Sequence, residues 1–235
     1  MGTLITVSGK FKIMELAMND DDLSVQACIS WIAVKTNDIN AVAKSLELEN
    51  VREGNFQDWE YDSFPNTFLY VAQNQWVIVY HGWQHTGELG ASATDEEIRS
   101  AIYNADVNLL NRLSERFGSA QSFGFDEEYV GYAHWALSES GNLVRYFKYS
   151  SEDQEPNQGF NIGEPTEAEI FIDWATLDDW TIVEEDDESY YEYNGDSFGC
   201  IQVLKIARQW SLNPVHDEHP ADRSGLLADG TISII

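Results

Sequence analysis

The chain has 235 residues, 43% of them hydrophobic and 13% aromatic, so it is long enough and apolar enough to bury a substantial core. Its 41 acidic residues outnumber 13 basic ones, which gives a formal net charge of -28. So few Lys and Arg residues argue against a protein that binds nucleic-acid phosphates or an anionic membrane surface.

The lack of a recognisable targeting segment and the small number of cysteines favour a cytoplasmic protein. No apolar stretch reaches the ~18 residues of a membrane span, and no basic segment followed by an apolar run marks a signal peptide. The first six residues fit the myristoylation pattern, but so short a match is more typical of chance or of a cloning remnant. Cys28 and Cys200 each stand in an apolar pattern, which predicts buried thiols rather than a disulfide framework.

The first elements along the chain are a strand, a short helix and a hairpin. Near-continuous apolar residues from Gln26 to Lys35 indicate a strand covered on both faces. Asn37 or Asp38 then caps a short helix, and the polar stretch from Glu47 to Pro65 predicts no element. Two strands are next predicted to form a hairpin: Thr67 to Ala72 and Trp76 to Tyr80.

Two helix starts follow the hairpin. Thr94 and Glu97 form a capping box, in which a Ser or Thr and a Glu three residues later each accept a backbone donor. Asp106 is predicted to cap a second helix, and Gly118 stands where a C-cap glycine is expected.

The second half of the chain is predicted to contain three strands and two helices. The strands are Ser119 to Phe125, Tyr129 to Leu137 and Leu143 to Tyr149. Turn residues at 139–142 join the last two strands as a hairpin. A second capping box at Thr166 and Glu169 predicts a short helix through Trp174, and apolar spacing predicts another helix from Ser197 to Trp210.

This order is not a regular alternation of strands and helices, so it predicts an α+β fold rather than a doubly wound parallel sheet. We expect a mixed or mainly antiparallel sheet flanked by helices, in one compact domain spanning 1–235. The similar segments WIAV at Trp31 and WVIV at Trp76 indicate a weak internal duplication, with 1–118 and 119–235 as its halves.

The acidity is concentrated in one region of the chain. Between Tyr149 and Leu204 there are sixteen Asp or Glu residues and no Lys or Arg. Within it, acidic and aromatic residues alternate in a pattern that favours a docking surface for a basic protein. The predicted partner-binding residues are Glu184, Glu185, Asp186, Asp187, Glu188, Tyr190, Tyr191 and Tyr193. A solvated acidic loop is the alternative interpretation of the same run.

Metal and catalytic sites have weaker patterns. His216 and His219 are three residues apart beside two carboxylates, and His81 and His85 are four apart, but no third ligand stands at a fixed spacing. Asp20 to Asp22 lack the glycine and distal glutamate of a calcium loop. No nucleophile elbow, phosphate-binding loop or kinase motif is present, so no cofactor and no catalytic residue are predicted.

Four segments carry a resemblance to other proteins: Cys28 to Lys35, the hairpin around Trp76, Gly163 to Glu169 and Ala207 to Pro214. They resemble a group of uncharacterised bacterial proteins, and acidic proteins of this kind are often immunity proteins. Immunity proteins are cytoplasmic inhibitors that protect a bacterium from its own polymorphic toxin. The resemblance implies an inhibitor without catalytic residues of its own.

The sequence thus predicts a cytoplasmic immunity-type protein that binds and inhibits a basic toxin, with a nuclease as the favoured toxin. Two alternatives stay open. One is a hydrolase that uses carboxylates or a metal, because abundant carboxylates hide any acid/base pair among them. The other is an acidic protein of a halotolerant organism, whose charge serves solubility.

Overall fold

The computed structural model describes residues 29–61, 67–81, 94–126, 132–150, 160–174, 180–185, 188–193, 199–214, 223–229 and 232. Cys28, Asp20 to Asp22, His85, His216 and His219 lie outside these ranges.

Most of the described chain is organised around one large antiparallel sheet. The described strands are β1 (Ile29–Lys35), β2 (Glu49–Asn55), β3 (Thr67–Ala72), β4 (Trp76–His81), β5 (Ser119–Asp126), β6 (Tyr132–Glu139), β7 (Asn142–Ser150), β8 (Phe160–Ile162), β9 (Trp180–Glu185), β10 (Glu188–Tyr193) and β11 (Ser224–Asp229). Nine of them form the sheet in the order β2-β11-β3-β4-β1-β5-β6-β7-β8, with antiparallel pairing at each step. Strands β9 and β10 pair only with each other within the described residues.

Helices cover both faces of the sheet. They are α1 (Ile39–Ser45), α2 (Phe56–Tyr61), α3 (Asp95–Phe117) and α4 (Cys200–Trp210). One core joins α2 and α4 to a sheet face that carries Trp31 and Trp135, and the other joins α1 and α3 to the opposite face. The α+β prediction with a mainly antiparallel sheet flanked by helices is therefore confirmed.

Burial on both faces explains the composition of the central strands. In β1 the alternating residues Trp31 and Ile32 enter the two different cores, so apolar side chains occupy successive positions. Strand β4 lies beside β1 and has the same character, with Trp31 opposite Tyr80 in the register. The similar segments at Trp31 and Trp76 thus lie on neighbouring antiparallel strands.

Several local predictions are confirmed. The Asp38 carboxylate accepts a bond from the Ala41 N–H at 2.9 Å and caps α1. The Thr94 hydroxyl accepts from the Glu97 N–H at 3.3 Å, and the Glu97 carboxylate accepts from the Thr94 N–H at 2.8 Å. Gly118 ends α3 with a φ of 92°, a conformation that favours glycine.

Two helix predictions are wrong in their extent. Asp106 does not begin a second helix, because α3 runs without a break from Asp95 to Phe117 and Asp106 lies inside it. The capping box at Thr166 begins only a single 3-10 turn, Glu167–Glu169, rather than a helix through Trp174. Strand β2 and helix α2 lie in the stretch from Glu47 to Pro65, where no element was predicted.

The sheet crosses the boundary between the two predicted halves, because β1 pairs with β5 from Ile29 opposite Phe125 to Val34 opposite Ala120. The duplication and the division into halves stay predictions. Among the described helices, none combines the length and the apolar character needed to cross a membrane. Cys200 is buried at the start of α4.

Candidate functional site

The predicted acidic surface falls on the two-stranded sheet formed by β9 and β10, which we call the acidic hairpin (Trp180–Glu185 and Glu188–Tyr193). Its register places Glu185 opposite Glu188 and Tyr193 opposite Trp180. Six of the predicted partner-binding residues lie on its strands: Glu184, Glu185, Glu188, Tyr190, Tyr191 and Tyr193. Asp186 and Asp187, which connect the strands in the sequence, lie outside the described residues.

The register divides these residues into two sets. Residues opposite each other in an antiparallel pair share a face, and successive residues alternate between faces. One set is rich in acid and consists of Thr181, Val183, Glu185, Glu188, Tyr190 and Glu192. The other is rich in aromatic residues and consists of Trp180, Ile182, Glu184, Ser189, Tyr191 and Tyr193. The register therefore assigns the acids and tyrosines that are mixed in the sequence largely to different sets of paired positions.

The acidic hairpin connects to the rest of the chain through two short segments. Residues 175–179 link Trp174 to β9, and residues 194–198 link β10 to Gly199 at the start of α4. Each link has five residues, so even a fully extended link spans only about 20 Å. The chain thus ties the near ends of the hairpin strands, Trp180 and Tyr193, to Trp174 and Gly199.

The region where the 3-10 turn and α4 meet is built on a buried ion pair. Glu169, the last residue of the 3-10 turn, accepts a bond from Arg145 Nε at 2.8 Å, and both side chains are fully buried. The same carboxylate oxygen accepts from Trp135 Nε1 at 2.9 Å. The other oxygen accepts from the Thr166 N–H at 2.7 Å and from its hydroxyl at 2.9 Å, which completes the capping box. A buried carboxylate with this many donors is well compensated for its lost hydration.

Arg145 also contacts two further segments of the chain. Its Nη1 atom donates to the Asn161 side chain at 2.7 Å and to the carbonyl oxygens of Ile162 and Gly163 at 3.0 and 3.2 Å. Its guanidinium lies 5.0 Å from the ring centroid of Trp174, within the range of a cation–π contact. The 3-10 turn, β8 and Trp174 are therefore positioned by one arginine on β7.

Apolar side chains are exposed directly beyond this buried pair. Ile170 is 87% exposed and Phe171 is 40% exposed, although the residue before them has no exposed surface. Ile201, in the first turn of α4, is 42% exposed. The ammonium group of Lys205 lies 5.2 Å from the ring centroid of Phe171, and Lys205 follows Ile201 by one helical turn. We refer to Ile170, Phe171 and Ile201 as the apolar patch.

A second group of polar residues is buried between α3 and the sheet. His134 Nδ1 lies 3.1 Å from the carbonyl oxygen of Phe147, and His134 Nε2 lies 2.9 Å from Ser122 Oγ. A carbonyl oxygen only accepts, so Nδ1 carries the proton and the Ser122 hydroxyl donates to Nε2. The arrangement places a serine hydroxyl against the unprotonated nitrogen of a histidine.

Asp106 and Tyr146 lie beside this pair. The Tyr146 hydroxyl donates to Asp106 Oδ2 at 3.0 Å, from β7 to the middle of α3. Burial raises the pKa of Asp106 to about 6, against the opposing effects of the Lys148 charge and the Tyr146 hydrogen bond. Burial also raises the pKa of Tyr146 well above its ordinary value, and the neighbouring Asp106 charge adds to the rise.

The chemistry of this buried group does not favour catalysis. Burial lowers the pKa of His134 to about 3, which makes its imidazole a weak base at neutral pH. The adjoining cavity has a volume of about 20 Å³, enough for one water molecule and too small for a substrate. Ser30 Oγ, which lines the cavity, has no hydrogen-bond partner among the described residues. The group is better suited to positioning α3 on the sheet.

Metal binding has no support within the described ranges, where no group of three or more His, Cys, Asp or Glu side chains is arranged to hold an ion. His81 lies at the edge of the cavity near His134. The other predicted ligands, His85, His216, His219 and Asp20 to Asp22, are outside the described residues.

The buried ion pair and the polar group under α3 were not predicted from the sequence. A signal for each was present. Arg145 stands in the apolar run from Leu143 to Tyr149, where an unpaired cation would be unfavourable, and Asp106 stands in the middle of a helical pattern. Neither signal identifies its partner, because Glu169 is 24 residues from Arg145 and Tyr146 is 40 residues from Asp106.

No protein-family model matches the chain, and comparison with the curated proteins and with the solved structures gave no match. The resemblance to immunity proteins therefore stays a prediction.

Proposed function

We propose that this protein is an immunity-type inhibitor that binds a basic toxin of the nuclease class in the cytoplasm. The observation that carries the proposal is the register of the acidic hairpin. It sets Glu185 opposite Glu188 at the end of the hairpin where Glu184, Asp186 and Asp187 also stand in the sequence.

Such an arrangement is unfavourable in the isolated protein. Like charges directly opposite each other on two strands destabilise the pair, and the net charge of -28 adds repulsion from the rest of the chain. Lys and Arg side chains of a partner would relieve this repulsion on binding. The charges would also steer the partner, since complementary fields raise association rates by about 10- to 1,000-fold at low ionic strength.

A nuclease is a suitable partner because its substrate site must bind phosphates with cationic side chains. The hairpin strands contain carboxylates that could pair with those cations, and they also contain the aromatic residues Trp180, Tyr191 and Tyr193. Aromatic residues often supply most of the binding energy at protein interfaces. An inhibitor of this kind needs no catalytic group of its own.

The two alternative functions have less support. A hydrolase needs a base of suitable pKa facing a substrate-sized cleft, whereas His134 has a pKa of about 3 beside a cavity of about 20 Å³. A charge that serves only solubility would be spread over the surface, whereas the stretch from Tyr149 to Leu204 contains no Lys or Arg.

The test starts from the tagged wild-type chain expressed in the source organism. We expect affinity capture to recover one basic protein whose purified form degrades nucleic acid, and we expect added wild-type chain to stop that activity. The second step replaces Glu184, Glu185 and Glu188 by Gln. We expect at least a tenfold slower association at low salt, roughly the scale of electrostatic steering.

A matched control removes the same charge elsewhere, at the exposed residues Glu47, Glu115 and Glu139. We expect it to slow association much less. Recovery of no basic protein would overturn the proposal, and so would equal effects of the two triple variants. Stability that rises steeply with salt, without any captured partner, would instead support the role in solubility.

A further inference from the structure

We infer that the apolar patch of Ile170, Phe171 and Ile201 anchors the same basic partner that the acidic hairpin attracts. This inference rests on the proposed function and adds to it the place where the partner is held. The partner surface it requires is an apolar cluster next to Lys and Arg side chains.

Exposure of the patch is the first argument. Ile170 is 87% exposed and is followed by Phe171, so two large apolar side chains face solvent in sequence. Single exposed apolar residues are ordinary, but adjoining ones on one surface are typical of interaction sites. Ile201 extends the exposed apolar surface onto α4, where Lys205 holds the Phe171 ring from the next turn.

The backbone that carries Ile170 and Phe171 is held in place by hydrogen bonds. Ile170 and Phe171 directly follow Glu169, whose carboxylate accepts four hydrogen bonds from Arg145, Trp135 and Thr166. At the other end of the turn, Trp210 Nε1 of α4 donates to the Thr166 hydroxyl at 3.1 Å. A backbone held in this way presents its exposed side chains in one arrangement, so little conformational entropy is lost when a partner binds.

Acidic residues on the same segment as the patch favour a basic partner. Glu164, Glu167 and Asp173 are exposed on the same segment of chain, and Lys205 contacts Phe171. A polar rim around an apolar centre is the usual arrangement of a protein interface. The acidic side chains of this rim match the same basic partner as the hairpin.

The patch is also continuous along the chain with the acidic hairpin. Trp174 follows Phe171 by three residues, Gly199 precedes Ile201 by two, and the hairpin is inserted between Trp174 and Gly199. Its two five-residue links limit the distance from these points to the near ends of its strands, Trp180 and Tyr193, to about 20 Å each. A standard interface buries about 800 Å² on each partner, an area that can include the patch and this end of the hairpin.

The two features should therefore act on different rate constants. Charges of the hairpin act during approach and set the association rate and its salt dependence. Apolar contacts form only in the bound complex, so the patch should set the dissociation rate.

The experiment uses the purified basic protein that the wild-type chain captures, and it measures binding kinetics at several salt concentrations. We expect Ile170→Ser together with Phe171→Ser to raise the dissociation rate by roughly tenfold or more, the scale of a lost hot spot. The slope of the association rate against salt should stay unchanged. Ile170→Ser alone should give a smaller increase in the same direction.

The matched control is Val51→Ser, at a residue that is 41% exposed on the edge strand β2. We expect it to leave both rate constants unchanged. Unchanged dissociation in the patch variants, with the hairpin variant still slow to associate, would overturn the patch and leave the proposed function intact. Loss of self-association in the patch variants, measured by light scattering, would assign the patch to a second copy and overturn the inference. Capture of no basic protein would overturn both.

Discussion

Arg145 and Glu169 form a fully buried ion pair, with 2.8 Å between Nε and the nearer carboxylate oxygen. The pair joins strand β7 to the 3-10 turn that carries the apolar patch. Removing one partner of a buried pair leaves an uncompensated charge, whereas removing both does not. This asymmetry makes the contribution of the pair measurable.

We predict that Arg145→Met lowers the free energy of unfolding by about 3–5 kcal/mol, because the buried Glu169 loses its cationic partner. The double variant Arg145→Met, Glu169→Leu should lose less unfolding free energy than the sum of the losses in the Arg145→Met and Glu169→Leu single variants. Urea denaturation of the three proteins measures the difference. Arg52→Met is the control: Arg52 pairs with Asp229 at 3.3 Å on the surface, so its loss should be below about 1 kcal/mol. Additive losses at Arg145 and Glu169 would contradict this prediction.

Asp106 should make stability depend on pH. Burial raises its folded pKa from 3.8 to about 6, so the folded protein binds a proton more tightly than the unfolded chain. The contribution of Asp106 to the free energy of unfolding is therefore full below pH 3.8, and it is lost as the pH rises through about 6. We expect Asp106→Asn, which retains an acceptor for Tyr146, to flatten the decrease between about pH 4 and pH 6, the interval between the unfolded and folded pKa values.

Urea denaturation at each pH gives the comparison. Repulsion among the other acidic residues also weakens the fold as pH rises, so only the difference between wild type and variant reports on Asp106. Asp58→Asn, on the exposed side of α2, serves as the control and should keep the wild-type slope. Parallel pH curves for wild type and Asp106→Asn would show that the Asp106 pKa is not raised.

The capping box of α3 should contribute measurably to the free energy of unfolding. Thr94→Ala removes the hydroxyl that accepts from the Glu97 N–H, and we expect a loss of about 1 kcal/mol. Thr94→Ser retains the hydroxyl and should restore most of the stability. Thermal unfolding of both variants tests this, and an equal loss in the two would argue against the cap.

The register of the acidic hairpin predicts a stabilising substitution. Glu185→Lys converts the like-charged pair with Glu188 into an opposite one, which should favour the hairpin by about 0.2–1 kcal/mol. We expect slower amide hydrogen exchange in β9 and β10, with the effect reduced at high salt. Glu192→Lys adds the same charge opposite Thr181 and should have a smaller effect. Equal slowing by both substitutions would mean that net charge, not the register, is responsible.

Sequence pattern predicted the central strands because burial on both faces leaves long apolar runs, as in β1 and β4. It missed β2, whose residues Glu49 to Asn55 are charged and polar because this strand lies at the sheet edge. It divided α3 at Asp106 because an aspartate more often caps a helix than lies inside one. The Tyr146 hydroxyl that gives Asp106 a partner comes from a strand 40 residues away.

The candidate site, too, could be predicted only in part from the sequence. The acidic run was visible in the sequence, but the separation of acids and aromatics into two sets depends on which residues pair. The apolar patch was not visible, because Ile170 and Phe171 have the composition of core residues. The structure shows instead that Ile170 and Phe171 are exposed directly after the buried Glu169.

The position of β11 in the sheet has a consequence for synthesis of the protein on the ribosome. This strand, near the C-terminal end of the described chain, inserts between β2 and β3. Leu226 lies opposite Leu69, which is translated 157 residues earlier, and opposite Glu53, which is translated 173 residues earlier. Among the described strands, β2 pairs only with β11. One edge of the sheet therefore stays incomplete until residues 224–229 have left the exit tunnel, so among the described strands β2 can pair only after β11 has been made.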